Sequence, residues 1–409
     1  MDKIMTKSQI QIGLLSAFLA FPQAIVFATL AGLPVGYGIL ASMLGTLLYL
    51  LLGGEYYIIV GPVSIISLEL FSGLTKYFIP KTQDYIMAAM IVTFFIAIFQ
   101  ILISKTKLLK MVEWIHPTAV KGITAGIGIS IILSQIPIIL NTQEPFFIPT
   151  WEQAKYSLWS HWSWTNVFIF LFTFLIYNSL KFIKNTWVKK LKILIAIIAS
   201  SFILSAFGVV APQIGNISFT NVSLNLRVSD NVIFELPYLI HIALGLAIIA
   251  IIQSLLVSEY FAKKEKINIK HDREIYIQGL TNLVVSLIAF FPVSTSINRS
   301  VAHYEAGARD KYSGILSVFF ILIIFLIFKP IINMIYLSSL SVMLFIVSTS
   351  LIKNLFQEKD KDVAHYVLFF CFSTIFINIT VSIVLGIILG VYHHISNIKK
   401  LSMQLKTSI

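Results

Sequence analysis

Long apolar runs follow one another along the whole chain, separated by short polar breaks. They fall at residues 8–30, 33–52, 61–78, 83–103, 117–140, 164–182, 190–208, 237–258, 274–291, 293–307, 312–328, 330–352, 362–378 and 380–396. Most approach the roughly 20 residues a helix needs to cross the hydrocarbon of a bilayer. The pattern predicts an all-α polytopic membrane protein with 14 transmembrane segments. Two polar stretches are longer than the rest, 141–163 and 209–236. The second divides the chain into halves of seven spans, 1–208 and 237–409, joined by an extracytoplasmic linker at 209–236. The halves echo each other weakly: Pro62-Val63-Ser64 recurs as Pro292-Val293-Ser294, and the same offset carries Gln23 onto Gln253. Both tripeptides interrupt the third span of their half. Because seven is odd, the halves would lie in opposite orientation, a 7+7 inverted repeat of the kind secondary transporters use.

Composition narrows the class. The chain of 409 residues is 57% hydrophobic and 12% charged, which excludes a soluble globular protein and leaves little room for a soluble domain. The net charge of +12 would suggest nucleic acid in a soluble chain. Here 23 of the 30 Lys and Arg fall in loops on one side and five on the other, so the charge reports orientation. It predicts cytoplasmic N- and C-termini in a cell (inner or plasma) membrane, with no nucleic-acid partner. The first segment stays apolar past Ala31 without a cleavage signature, which argues against a cleaved leader. Trp151, Trp159, Trp162 and Trp164 read as interface anchors on the outer side. The single cysteine, Cys371, excludes disulfide frameworks and Cys-based metal sites. The neighbours His393 and His394 point in different directions on a helix, so no metal site is expected. With no phosphate loop, nucleophile triad or paired soluble carboxylates, neither an enzymatic activity nor a cofactor is expected.

The interrupted spans carry the chemistry. Tyr56-Tyr57-Ile58-Ile59-Val60 precedes Pro62, and Ala289-Phe290-Phe291 precedes Pro292. Each proline therefore reads as ending an extended piece and starting a helix, making spans 3 and 10 a short strand plus a half-helix. Irregular backbone at membrane depth is tolerated where it is buried in protein or lines a cavity. Two half-helices starting near the midplane would aim their free N–H groups and positive dipole ends at one point, which attracts an anion. Arg299, seven residues beyond Pro292, falls near mid-membrane and reads as completing that site. Ser294, Thr295, Ser296, Asn298 and the amides near Ser64 would donate to the anion. The structural alternative pairs Arg299 with Glu69 or Glu305. Glu69 itself reads as a proton relay, as the partner of Arg299, or as facing the outer mouth. Gln23 and Gln253 offer neutral amides that suit a polar substrate but bind no proton, or else pack between helices.

These residues resemble the sulfate permease (SulP) family of anion transporters, bacterial relatives of prestin and the animal anion exchangers. The run Phe21-Pro22-Gln23-Ala24 through Gly32-Leu33-Pro34, then Gly36-Tyr37-Gly38 and Val60-Gly61-Pro62-Val63-Ser64, is similar to the family's first-span signature and third-span Gly-Pro. Lys121-Gly122-Ile123-Thr124-Ala125-Gly126 and Leu133-Ser134-Gln135 resemble its fifth span. Gln278-Gly279-Leu280, Asn282, the stretch Pro292 to Ser300 and Ala306-Gly307-Ala308-Arg309 resemble its ninth and tenth spans. The resemblance implies a core of spans 1–4 and 8–11 that moves against a gate of spans 5–7 and 12–14. It also places Gln23, Ser64, Ser296, Asn298 and Arg299 around the anion. The family usually has an acid in span 8 where Gln253 stands, and Val257 replaces a hydroxyl one turn later. Both departures weaken a sodium site and that form of proton coupling, leaving Glu69 as the substitute acid. The chain ends at Ile409, where most members continue into a cytoplasmic STAS domain, which weakens the expectation of a homodimer.

The expected function is secondary active transport of a small inorganic or carboxylate anion (sulfate, bicarbonate, chloride or a dicarboxylate). A coupling proton is favoured over sodium. The alternatives are an anion channel of the same fold, a nucleobase permease, against which Gln253 speaks, and a non-transporting anion-binding membrane protein.

Overall fold

The computed structural model describes residues 7–106, 117–142, 162–215, 229–267, 269–353, 361–377 and 381–392, with a few isolated positions between them. Trp151, Trp159, His116, His393, His394, Arg227, Lys3, Lys107, Lys110, Lys359, Lys399, Lys400, Lys406 and the linker stretch 216–228 lie outside the described residues.

The helices, numbered in chain order, are α1 (Lys7–Leu30), α2 (Val35–Leu51), α3 (Ser64–Leu74), α4 (Gln83–Ser104), α5 (Pro117–Leu140), α6 (Trp164–Ser179) and α7 (Thr186–Ala206). After a one-turn helix at Asp230–Phe234 come α8 (Leu236–Glu265), α9 (His271–Ile288), α10 (Ile297–Glu305), α11 (Lys311–Asn333), α12 (Leu337–Ile352), α13 (Lys361–Phe376) and α14 (Val381–Tyr392). Six of the described helices are long and apolar enough to cross a membrane, and shorter apolar helices accompany them. The outer surface exposes Phe182, Phe207, Leu326, Ile327 and Tyr392, the reverse of a water-facing surface. Trp162 and Trp164 are exposed and stack edge to face, their ring centroids 5.4 Å apart. The molecule is a polytopic helical membrane protein.

Two short strands, β1 (Val60–Gly61) and β2 (Ser294–Thr295), pair antiparallel, Val60 opposite Thr295 and Gly61 opposite Ser294. Around them α4 packs on α8 and α9, α1 on α2, α10 and α11, and α2 on α9 and α11. A second group packs on itself: α5 against α6, α12 and α13, and α6 and α7 against α12. The groups meet where α1 touches α7 and α12 and where α3 touches α5. Close approach depends on small residues. A Cβ at Gly38 would stand 2.3 Å from the Ala24 carbonyl oxygen, so α1 and α2 could not meet as they do with any larger residue there.

Two boundaries differ from those the apolar pattern predicts. Pro330 lies inside α11, and the break comes at Met334–Tyr336. There the chain turns extended because Tyr336 bridges Gln213, Ile214 N–H donates to the Ile335 carbonyl and Leu337 N–H donates to the Pro212 carbonyl. Those external partners end the helix more effectively than the proline. In the tenth span the order around the proline is reversed. β1 ends before Pro62 as expected, but β2 follows Pro292, so α10 starts five residues after its proline whereas α3 starts two residues after its own. Side-chain amides from α9 capture Val293 and hold the chain extended beyond Pro292.

Candidate functional site

The β1–β2 ribbon sets the geometry. Each strand feeds a half-helix, and because the strands are antiparallel, α3 and α10 leave the ribbon in opposite directions with their N-termini at its two ends. The N-cap positions, Val63 and Ser296, have extended backbone and supply no side-chain cap. The first-turn N–H groups of both helices are thus without helical acceptors, and each terminus carries about half a positive charge.

A cavity of about 210 Å³ opens beside these termini. Ser64 contributes from α3; Thr295, Ser296 and Asn298 from β2 and α10; Gln23 from α1; and Gln253 from α8. The Gln253 Oε1 is buried without a partner, an acceptor turned into protein with nothing to accept from. The opposite wall is apolar, formed by Ile123 and Ile127 of α5, Val347 and Leu351 of α12 and Ile383 of α14. No ionisable side chain lines the cavity among the described residues. Phe27 and Thr124 lie within the quoted motif runs but are not among the expected site residues, yet both line it. Phe27 lies one helical turn from Gln23, and Thr124 belongs to the fifth-span motif with its hydroxyl donating to the Val120 carbonyl at 2.6 Å.

Two expected site residues do not reach the cavity. The Ser294 hydroxyl turns away from it to accept a hydrogen bond from Gln278 Nε2 at 2.9 Å. Arg299 lies behind the ribbon, 3% exposed. Its Nη2 donates to the Pro62 carbonyl at 2.8 Å, and a Cβ at Gly61 would stand 2.9 Å from Nη1. Its Nε and Nη1 have no partner among the described residues. Neither carboxylate named as an alternative partner pairs with it: Glu305 lies 3.8 Å from Lys264, and Glu69 faces a different cavity. That second cavity, about 100 Å³, is lined by Glu69, Ser72, Lys76, Tyr238 and His241 and shares Ile249 with the first. Tyr238 donates to the Gly73 carbonyl at 3.2 Å, and Lys76 sits over its ring at 5.9 Å from the centroid. Among the described residues no group of three or more His, Cys, Asp or Glu could hold a metal ion.

The site thus combines a mostly apolar lining, a few hydroxyls and amides, two uncapped helix N-termini at its edge and a buried guanidinium behind the ribbon. The sulfate permease family profile matches residues 7–374. The chain belongs to the sulfate permease family.

Within that family it is similar to "High affinity sulfate transporter 2" of Stylosanthes hamata, 26% identical over 331 residues, 78% of this chain and 50% of the relative. It is also similar to "Sulfate transporter 2.1" of Arabidopsis thaliana, 27% identical over 327 residues, 76% of this chain and 48% of the relative. The chain spans about half the length of these curated relatives. Its fold matches the transmembrane domain of a cyanobacterium bicarbonate transporter, BicA, with TM-score 0.79 at 19% identity over 94% of this chain and 97% of that one. It also matches the inward-facing murine Slc26a9 anion transporter, with TM-score 0.83 at 15% identity over 97% of this chain and 69% of that one.

Proposed function

We propose that this chain is a secondary active transporter of a small anion, held between the N-termini of α3 and α10 and carried by alternating access. The observation that supports this best is the pair of uncapped helix starts joined by the β1–β2 ribbon, which border one largely apolar cavity whose polar groups, Gln23, Ser64, Gln253, Thr295, Ser296 and Asn298, come from the ribbon, the two half-helices and the helices beside them. The two termini contribute about half a charge each, and Arg299 behind them adds one, so the anion meets roughly two positive charges. That sum favours a dianion over chloride, and sulfate is the first substrate to test, being named in the sequence relatives' own titles. Bicarbonate, chloride and dicarboxylates are the other members of the panel. The cavity volume equals roughly seven water molecules at their liquid share, room for a small anion with part of its hydration.

In this reading the 14 spans form a 7+7 inverted repeat in a cell membrane with both termini cytoplasmic. The group around the ribbon is the core (spans 1–4 and 8–11), and the group around α5 and α12 is the gate (spans 5–7 and 12–14). Two features support that division: the groups pack chiefly within themselves, and the cavity has a polar wall on one and an apolar wall on the other. Because no ionisable group lines the cavity among the described residues, a coupling proton would bind elsewhere, and Glu69 beside the shared Ile249 is the candidate carrier.

The test is uptake of labelled sulfate, bicarbonate, chloride and succinate into proteoliposomes, with and without a proton or sodium gradient. Saturable uptake of one anion is expected in the native protein, reduced to background in Arg299→Ala and partly kept in Arg299→Lys. Uptake that never saturates would point to a channel, and full uptake by a folded Arg299→Ala protein would overturn the proposed role of the guanidinium.

A further inference from the structure

The ribbon has a second edge. On one side β2 pairs with β1; on the other it meets two side-chain amides from α9, Gln278 and Asn282, one helical turn apart. Asn282 accepts from the Val293 N–H at 2.9 Å and donates to the Val293 carbonyl at 3.0 Å, offering the peptide the donor and acceptor that a neighbouring strand would. Its amide also donates to Gln100 Oε1 of α4 at 2.9 Å. Gln278 donates to the Ser294 hydroxyl at 2.9 Å and to the Val293 carbonyl at 3.4 Å, and accepts from Ser254. The Ser254 hydroxyl lies 3.3 Å from that of Thr295 and directly follows Gln253, which lines the cavity. Gln278, Asn282, Ser254 and Ser294 are all buried, and none of the four lines the cavity.

We infer that Gln278 and Asn282 are positioning residues for the anion: they fix the joint between β2 and α10, and through Ser254 the seat of Gln253, without touching the anion. The inference rests on the reading of the cavity as the anion site. The first half of the chain fastens its strand differently, which makes the α9 amides specific to the second half-helix. There Thr46 donates to the Val60 carbonyl at 2.6 Å, Ile59 N–H donates to Ser300 at 2.9 Å and Arg299 holds the Pro62 carbonyl. Each amide removed leaves buried peptide groups or hydroxyls without partners, and β2 would shift to recover them. A shift of the α10 start misdirects Ser296, Asn298 and the free N–H groups together, so affinity is lost before turnover.

The experiment measures labelled sulfate uptake in proteoliposomes for native protein, Gln278→Leu, Asn282→Ala, Asn282→Asp and the cavity variant Ser296→Ala, with thermal midpoints in detergent. Gln278→Leu and Asn282→Ala are expected to raise KM about tenfold while Vmax changes less than about twofold. Asn282→Asp, which keeps the acceptor for the Val293 N–H, should recover part of the affinity. An unchanged KM in a folded variant would overturn the inference, as would KM, Vmax and thermal midpoint all failing together in Gln278→Leu. That variant leaves the Asn282 clamp in place and carries the test if Asn282→Ala does not fold. If native uptake saturates and Ser296→Ala raises KM while the α9 variants do not, the positioning role alone fails. Absence of saturable sulfate uptake and of sulfate binding by the native protein overturns both readings.

Discussion

In the proposed reading, Arg299 serves a site from which it is hidden. A guanidinium deep in an apolar bundle is costly to bury, and among the described residues this one has a single hydrogen bond, to the Pro62 carbonyl, and no carboxylate partner. In that reading its field acts across the thin ribbon on whatever occupies the cavity. The residue type and depth are legible in the sequence; the direction of the side chain is not, because it depends on Gly61 leaving room on the far side of a strand supplied by the other half of the chain. Gln23 and Gln253 are legible because an amide in an apolar helix needs a reason, and both meet in one cavity. Glu69 invites its own test. It shares its cavity with Lys76, Tyr238 and His241, and Tyr77 and Glu235 flank Tyr238. If Glu69 carries the coupling proton, acidifying the outside medium should stimulate uptake in the native protein, and Glu69→Gln should remove that stimulation while leaving uptake at neutral pH within a few fold. A pH profile unchanged by Glu69→Gln would make it a structural residue.

At the level of elements, the ribbon is the part least visible in the sequence. The prolines signal that spans 3 and 10 are broken, which holds, but they do not reveal where the extended residues lie. In the second half these follow Pro292 because amides from α9 capture Val293, an interaction between segments that no local pattern encodes. The same reason explains the boundary near residue 329 that the apolar runs predict: the helix runs on through Pro330, and the break is set instead by the pairing of Tyr336 with Gln213. Helix existence was readable from apolar runs, since those runs answer to the bilayer and not to a particular partner. Gly61 tests the ribbon as an element. A methyl group there would stand 2.9 Å from Arg299 Nη1 and 3.3 Å from Ser42 Cα, so strand or guanidinium must move. Gly61→Ala is expected to lower stability by about 1–3 kcal/mol and to raise the KM for the anion, read by thermal melting and uptake kinetics. Unchanged values in both would mean that the contact has slack.

For the whole molecule the interesting boundary is the one between the two packing groups, which runs through the cavity. The cavity is lined on one side by α5, α12 and α14 and on the other by α1, α3, α8 and α10, which carry most of its polar groups, so in the proposed reading relative motion of the groups would change what the anion faces without disturbing the ribbon. Thr124 on α5 is a convenient reporter. The native Cys371 is buried at 3% exposure, which makes the unaltered chain a quiet background for thiol labelling. Thr124→Cys should react with a small polar thiol reagent in proteoliposomes, and saturating sulfate should slow that reaction severalfold. Labelling indifferent to every anion in the panel would separate this cavity from the transport route. The division into groups is only partly legible in the sequence, since apolar runs give lengths and order but not neighbours.

If the anion is held by peptide N–H groups, as proposed, an evolutionary consequence follows. A side chain that recognises a substrate is one codon change away from being lost, whereas a main-chain donor survives every substitution except proline. The uncapped starts of α3 and α10 would thus give descendants of this sequence a general attraction for anions that drift cannot easily erase. Selectivity can then diverge through Gln23, Gln253, Asn298 and the aliphatic wall opposite, by ordinary point mutations and without passing through an ancestor that binds nothing.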